Sequence, residues 1–197
     1  MIVHLYKNTS PQENMQEDLH LLSLCAESQK VHLRFYGWLP NSFTYGRFQD
    51  EKLVKALLPS DSLIARRPTG GGLVDHRNDI TYALAIPQSS NLYRIKAIDS
   101  YKILHTAIAS VAKNFGFNAF LNEAESVKTQ SLAQCFVYPS KFDVLIDGKK
   151  FAGAAQKRNK LGLLFQGSLD KNLLSDKVSE SDFVEELKKS FANIFCD

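Results

Sequence analysis

Apolar residues recur at helical spacing in three long segments of the chain. The first segment opens with Ser10-Pro11-Gln12-Glu13, which offers a capping serine, a proline in the first helical position and a glutamate three residues after the cap. Met15, Leu19, Leu22 and Ala26 follow on one predicted helical face. The other long helices are predicted over Ser100–Phe115, closed by Gly116, and over Ser181–Phe195, with a short one over Glu51–Leu58.

Between the helices, β-branched and aromatic runs predict strands. They cover Val31–Tyr36, Phe43–Tyr45, Leu63–Arg67, Ile80–Ile86, Lys150–Gln156 and Leu161–Leu169, and a β-rich pattern starts at Leu132. Asp147-Gly148 is a strong two-residue hairpin signal. This order of elements predicts an α+β fold with a mixed β-sheet and helices packed on one side of it, in a single domain over residues 1–197.

Composition narrows the class of protein. With 44% hydrophobic residues, 13 Phe and 7 Tyr in 197 residues, a packed core is expected and extensive disorder is excluded. No apolar run reaches the roughly 18 residues of a membrane span, and Met1 to Lys7 does not resemble a signal peptide. The three dispersed cysteines suit reduced thiols in a cytoplasmic protein. A net charge of +3 is too small and too evenly spread to favour nucleic acid, and no membrane partner is expected.

Three consecutive glycines form the first candidate binding segment, Arg66-Arg67-Pro68-Thr69-Gly70-Gly71-Gly72, with His76 shortly after. Glycine runs are costly in chain entropy, so they indicate positive φ or close approach of a ligand to bare backbone. The neighbouring arginines could pair with an anionic group on that ligand. The alternative is a wide surface turn with two solvated arginines.

The second segment is the predicted hairpin that ends in Lys149-Lys150-Phe151-Ala152-Gly153-Ala154-Ala155-Gln156. Strand side chains alternate, so one lysine should face inward and the other outward. An inward lysine beside small residues has room for a substrate. The alternative is an exposed, charged hairpin.

The third segment carries Cys135 within Gln134-Cys135-Phe136-Val137-Tyr138-Pro139-Ser140. A nucleophilic cysteine needs a nearby cation or base, and Lys150 is a candidate if the hairpin folds back. The alternative is a small buried hydrophobic residue. The histidines show no metal-ligand spacing, and His105 is expected to be structural.

These segments resemble, in order, motifs of the biotin/lipoate protein ligase superfamily, in its lipoate-ligase and octanoyltransferase branch. The matching stretches are Asn14-Met15-Gln16-Glu17-Asp18, Leu33-Arg34-Phe35-Tyr36-Gly37-Trp38 with Tyr45-Gly46-Arg47-Phe48-Gln49, Arg66 to His76, and Lys150 to Gln156. The resemblance implies that an octanoyl or lipoyl group is attached to a lysine of a lipoyl domain. It also implies the family's catalytic-domain architecture. In departure from full ligases, no C-terminal accessory domain is expected, so a ligase would need a separate partner chain or would have to work without that domain.

The resemblance assigns roles to individual residues. Lys150 would hold the acyl carbonyl oxygen, and an apolar tunnel would hold the chain. The substrate-binding residues implied are Trp38, Arg47, Arg67, Gly70, Gly71, Gly72, His76, Gly153, Ala154 and Ala155. The acceptors implied are the lipoyl domains of 2-oxoacid dehydrogenase complexes or the glycine-cleavage H protein, with acyl carrier protein as a possible donor.

Two chemistries exist within this branch, and the cysteine segment favours one. Cys135-Phe136-x-x-Pro139-Ser140 resembles the octanoyltransferases, in which a cysteine takes the acyl group from a thioester without a tightly bound cofactor. Asp79-Ile80-Thr81-Tyr82 points the same way. Asp143 keeps open an ATP- and Mg²⁺-dependent lipoate ligase, in which it would lie near the metal. A non-catalytic lipoate binder is a third possibility. Gln166-Gly167-Ser168 departs from the histidine usual at its first position.

Overall fold

The computed structural model describes residues 1–5, 7–124, 139–174 and 178–196. Its strands are β1 (Ile2–Leu5), β2 (His32–Tyr36), β3 (Ser42–Tyr45), β4 (Leu63–Arg66), β5 (Val74–Asp75), β6 (Asp79–Ile86), β7 (Ala119–Leu121), β8 (Val144–Ile146), β9 (Lys149–Asn159) and β10 (Gly162–Asp170). Its helices are α1 (Pro11–Ser28), α2 (Glu51–Ala56), α3 (Asn91–Arg94), α4 (Ala97–Asn114) and α5 (Glu180–Ile194). The predicted β pattern from Leu132 and the candidate nucleophile Cys135 lie outside the described residues.

Seven strands form the main sheet, in the order β1-β2-β6-β10-β9-β8-β7. The β1–β2 pair is parallel and every other neighbour in this sheet is antiparallel. A second sheet of three strands, β4-β3-β5, carries the glycine-rich segment between β4 and β5. The prediction of a mixed sheet in an α+β fold is therefore confirmed.

Helices cover both faces of the main sheet, so the expectation of helices on one side is wrong. All eight residues of β6 are buried, with alternate side chains in two separate cores. Tyr82 and Leu84 pack with α4 and α5, whereas Ala83 and Ala85 pack with α1. A strand that is apolar on both faces requires a layer on each side, and the predicted pattern of β6 already contained that signal.

Helix α1 begins as predicted, with Ser10 and Glu13 forming a complete capping box. Its buried face differs from the predicted apolar stripe, because Asn14 and Asp18 are fully buried while Leu19 is 41% exposed. Two buried polar residues on one helical face require partners on the sheet, and the strand beneath supplies them.

The hairpin between β8 and β9 confirms the turn prediction, since Asp147 and Gly148 both have positive φ. Strands β1, β5 and β7 were not predicted, because each is short and lacks a clear alternation. No helix in the described part of the chain is long and apolar enough to cross a membrane.

Candidate active site

Arg67 organises the glycine loop, residues 67–73, from the inside. Its guanidinium donates to the carbonyls of Gly70 (3.1 Å) and Gly72 (2.6 Å) and to the Thr44 hydroxyl (2.7 Å). The residue is only 6% exposed. These bonds use the predicted anion-binding arginine to shape the loop itself, while Arg66 remains exposed and donates to the carbonyl of Arg47.

Glycine is required in and beside this loop for two different physical reasons. Gly71 has φ +88°, in the left-handed region that glycine adopts without strain. A Cβ at Gly46 would collide with the carbonyl of Gly71, so this glycine lets β3 and the loop pack backbone to backbone. Gly71 itself is exposed, which leaves bare backbone on the loop's outer side. The ligand-facing role of this loop stays a prediction.

A buried polar network anchors the loop to α1 and β10. Thr69 donates to Gln166 Oε1 (2.7 Å), and Gln166 Nε2 donates to Asp18 (2.6 Å). Asp18 also pairs with Arg34 of β2 at 2.6 Å, with both side chains almost completely buried. Tyr36 donates to the same carboxylate, and burial together with this negative charge raises the pKa of Tyr36 well above its ordinary value.

Trp38 and His76 stack beside the loop, with ring centroids 3.8 Å apart. Thr44 Oγ1 accepts from Arg67 and lies 2.7 Å from His76 Nε2, so this hydroxyl joins the arginine to the ring. On the other side of the ring, Nδ1 donates to the carboxylate of Asp79 at 2.7 Å. Both predicted substrate-binding rings are therefore fixed by hydrogen bonds, with Trp38 Nε1 on Thr81.

The side chain of Lys150 is partly buried against the sheet, whereas that of Lys149 is exposed, as the alternation of strand side chains predicts. Its Nζ is 2.9 Å from Asp143 Oδ2, and its side chain is 15% exposed. The same carboxylate oxygen accepts the Ser140 N–H at 2.7 Å. A Cβ at Gly153 would lie 2.8 Å from Lys150 Cε, so the glycine provides the space that the lysine crosses.

The loop and Lys150 meet on one face of the main sheet. Gly153 and Ala155 of β9 pair with Ser168 and Gln166 of β10, the latter bonded to the loop through Thr69. A Cβ at Gly71 would lie 3.8 Å from that of Ala155. Ala154, predicted to bind substrate, instead packs in the core on the opposite face. Ala154 faces the other way because successive side chains of a strand point to opposite faces of the sheet.

Arg47 lies at the rim of this face. Its backbone N–H donates to the Thr69 carbonyl, and its exposed guanidinium lies 5.0 Å from the centroid of the Phe48 ring. Phe48 is 84% exposed. Among the described site residues, Arg47 is thus a charged side chain exposed to solvent beside the glycine loop.

The described residues bring together no group of three or more His, Cys, Asp or Glu side chains that could hold a metal ion. Asp143, the predicted ligand in an ATP-dependent reaction, shares one carboxylate oxygen between Lys150 and Ser140. Magnesium is often held by one or two carboxylates together with substrate phosphates, so a single Asp143 carboxylate fits an ion delivered with a nucleotide.

Comparison with known proteins identifies the family. The model of the lipoyl protein ligase A/B catalytic domain matches residues 10–193. The chain belongs to this family. Similar curated proteins are the octanoyltransferases LipM of Exiguobacterium sp. (31% identical, 94% of this chain and 71% of that protein) and Macrococcus caseolyticus (30%, 97% and 75%). LipM of Bacillus subtilis is also 31% identical, over 94% of this chain and 73% of its own length.

Solved structures agree on the fold of this lipoyl ligase family member. LipL1 of P. falciparum in complex with lipoate aligns with a TM-score of 0.69 over 98% of this chain and 62% of its own, at 17% identity. The bi-partite lipoate protein ligase of Thermoplasma acidophilum aligns with a TM-score of 0.64 over 98% and 83%, also at 17% identity. At these identities the likeness concerns the fold alone.

Several residues that support the candidate site were given no individual role in the sequence analysis. Thr44, Asp79 and Ser168 hold the Trp38–His76 pair, and Ser168 donates to Asp79 at 2.6 Å. Arg34 gave a usable signal, because a charge in the middle of an apolar strand needs a buried partner. Thr44 and Ser168 gave none, since single hydroxyl residues in strands are common.

Proposed function

We propose that this chain transfers an octanoyl or lipoyl group to the acceptor lysine of a lipoyl domain. The observation that carries the proposal is the convergence of the Gly70–Gly72 loop and the Lys150 ammonium on one sheet face, beside the small residues Gly153 and Ala155. The similarity to octanoyltransferases over most of the chain supports the same reaction.

The proposed reaction proceeds by two acyl transfers. The Cys135 sulfur attacks the carbonyl of a donor thioester, the acyl–cysteine bond forms, and the donor thiol leaves with a proton. The amine of the acceptor lysine then attacks the acyl-cysteine and releases the cysteine thiol. In both steps negative charge develops on the carbonyl oxygen, and the fixed cation of Lys150 would stabilise it.

Three arms of one assay test this function. Purified protein is given an octanoyl thioester of acyl carrier protein, then an apo lipoyl domain of a 2-oxoacid dehydrogenase or the glycine-cleavage H protein, without ATP. Octanoylation of the lysine is the expected result. Modification only when lipoate, ATP and Mg²⁺ are supplied would instead make the chain a lipoate ligase, for which Asp143 provides one carboxylate. Binding of octanoate without any product would make it a non-catalytic binder.

Two neighbouring lysines provide a matched pair of variants for this assay. Lys150→Ala removes the inward cation and should reduce transfer by roughly 100-fold or more, the scale of losing one oxyanion donor. Lys149→Ala removes an exposed charge one residue away and should leave transfer unchanged. Equal activities of the two variants would contradict the role given to Lys150.

A further inference from the structure

His105 is a buried side chain of α4 that takes no direct part in the proposed reaction. It is 1% exposed, and its Nδ1 lies 2.6 Å from the carbonyl oxygen of Phe142. A carbonyl only accepts, so Nδ1 must carry a proton. Burial lowers the pKa of His105, which favours the neutral ring with a single proton on that nitrogen.

The carbonyl that His105 holds belongs to a strained residue. Phe142 has φ +67°, in the left-handed region that bulky residues seldom occupy. Its N–H donates to the Asn122 carbonyl at 2.6 Å, and Asn122 N–H donates to the carbonyl of Asp143 at 2.8 Å. Such a conformation persists only where neighbouring contacts fix it, and the bond from His105 is one of those contacts.

The next residue along the chain is the partner of the candidate catalytic lysine. Asp143 Oδ2 lies 2.9 Å from Lys150 Nζ. We propose that His105 is a positioning residue for Lys150: by holding the Phe142 carbonyl, it fixes the left-handed turn that aims the Asp143 carboxylate at the lysine. The effect of this positioning on turnover rests on the proposed function. The structural link from His105 through Phe142 and Asp143 to Lys150 does not.

The surroundings of the ring support a positioning role over a chemical one. The His105 ring contacts Tyr101 and Phe165, with centroids 5.9 and 6.0 Å away. Its Nε2 is buried without a hydrogen-bond partner among the described residues. Aromatic rings therefore pack against the imidazole, and Nδ1 is the ring nitrogen that makes a hydrogen bond among the described residues.

Two variants of similar shape separate the hydrogen bond from the packing. His105→Asn can place an amide N–H near the position of Nδ1, whereas His105→Leu keeps a side chain branched at the same carbon and donates nothing. We expect the Leu variant to lower kcat by roughly 10- to 100-fold, the scale of a displaced catalytic group, with KM for the octanoyl thioester little changed. The Asn variant should retain most of kcat.

Amine labelling reads the position of Lys150 without requiring turnover. A limiting amine reagent followed by peptide mass spectrometry gives the labelling rate of Lys150, with exposed Lys149 as the internal reference. The rate ratio of Lys150 to Lys149 should rise in the Leu variant and stay near the wild-type value in the Asn variant. If even the wild type fails to transfer octanoyl, the proposed function fails while this ratio still tests the link.

The link is overturned if both variants give the wild-type ratio, or if both shift it equally, because packing alone would then explain the result. Should the Leu variant fail to fold, nitrogen NMR of wild-type His105 decides. A neutral ring protonated at Nδ1 supports the proposal, and a proton at Nε2 with Nδ1 bare overturns it.

Discussion

Lys150 reaches Asp143 by crossing a residue that has no side chain. A Cβ built on Gly153 would lie 2.8 Å from Lys150 Cε and 3.0 Å from Lys150 Nζ. The same Cβ would lie 3.3 Å from Asp143 Oδ1. The φ of Gly153 is not in the left-handed region, so space rather than backbone freedom explains the glycine. The sequence predicted small residues beside an inward lysine, but it could not show which of them the lysine crosses.

Gly153→Ala tests this fit at the scale of a single methyl group. The new Cβ should push the end of Lys150 away from Asp143, so kcat should fall by about 10-fold or more. The loss of stability should be smaller, because the collision is with the far end of a long side chain and not with backbone. Transfer kinetics and urea unfolding are the measurements.

Gly148→Ala is the control and should behave in the opposite way. Gly148 has φ +77° and nothing within 4 Å of a Cβ, so the substitution strains only the turn. A left-handed alanine should lower the free energy of unfolding by about 1–2 kcal/mol and leave kcat unchanged. A Gly153→Ala variant with wild-type kcat would show that the position of the Lys150 side chain over Gly153 is not required for transfer.

At the scale of elements, one buried carboxylate connects a helix, two strands and the glycine loop. Asp18 of α1 accepts from Arg34 and Tyr36 of β2 and from Gln166 of β10, which in turn holds Thr69 of the loop. Sequence patterns predicted α1, its cap and the neighbouring strand well, because these signals are local. The network was not predictable in the same way, since it joins residues up to 148 positions apart.

Asp18→Asn should be costly because it leaves the buried Arg34 guanidinium without its counter-charge. Breaking such a pair typically lowers the free energy of unfolding by about 3–5 kcal/mol. Urea unfolding measures this, and Glu17→Gln, one residue away and only partly buried, should change it little. A loss below about 1 kcal/mol would mean that solvent or another group compensates Arg34.

At the scale of the whole molecule, the candidate site lies on one face of the main sheet and the larger apolar core on the other. The face toward α1 carries the glycine loop, the polar network and Lys150, while the opposite face packs α4 and α5. The turn before β8 connects the two faces. There, His105 of α4 donates to the carbonyl of Phe142, the residue that precedes Asp143. Composition and pattern predicted the fold class. The order of elements alone led to the wrong expectation of helices on one face, whereas β6, apolar on both faces, indicates a layer on each side.

The candidate site was predictable to the extent that its residues lie in short motifs. Motifs singled out the glycine loop, Trp38, His76 and Lys150 as candidates, and the structure places them around one sheet face. The roles of Arg67 and Ala154 were not predictable, because they depend on where a guanidinium and a methyl group point after folding. Cys135 lies outside the described residues, so its role remains a proposal from the motif.

Intact-protein mass spectrometry tests the central claim most directly. The protein is incubated with octanoyl acyl carrier protein, weighed, and then mixed with an apo lipoyl domain in the absence of ATP. We expect one octanoyl adduct on this chain, which disappears as the lipoyl domain gains the same mass. The adduct should be absent from Cys135→Ala, which has no nucleophile at this position, and present in the matched Cys25→Ala variant. If Cys135→Ala octanoylates the lipoyl domain as well as the wild type does, the cysteine mechanism is contradicted.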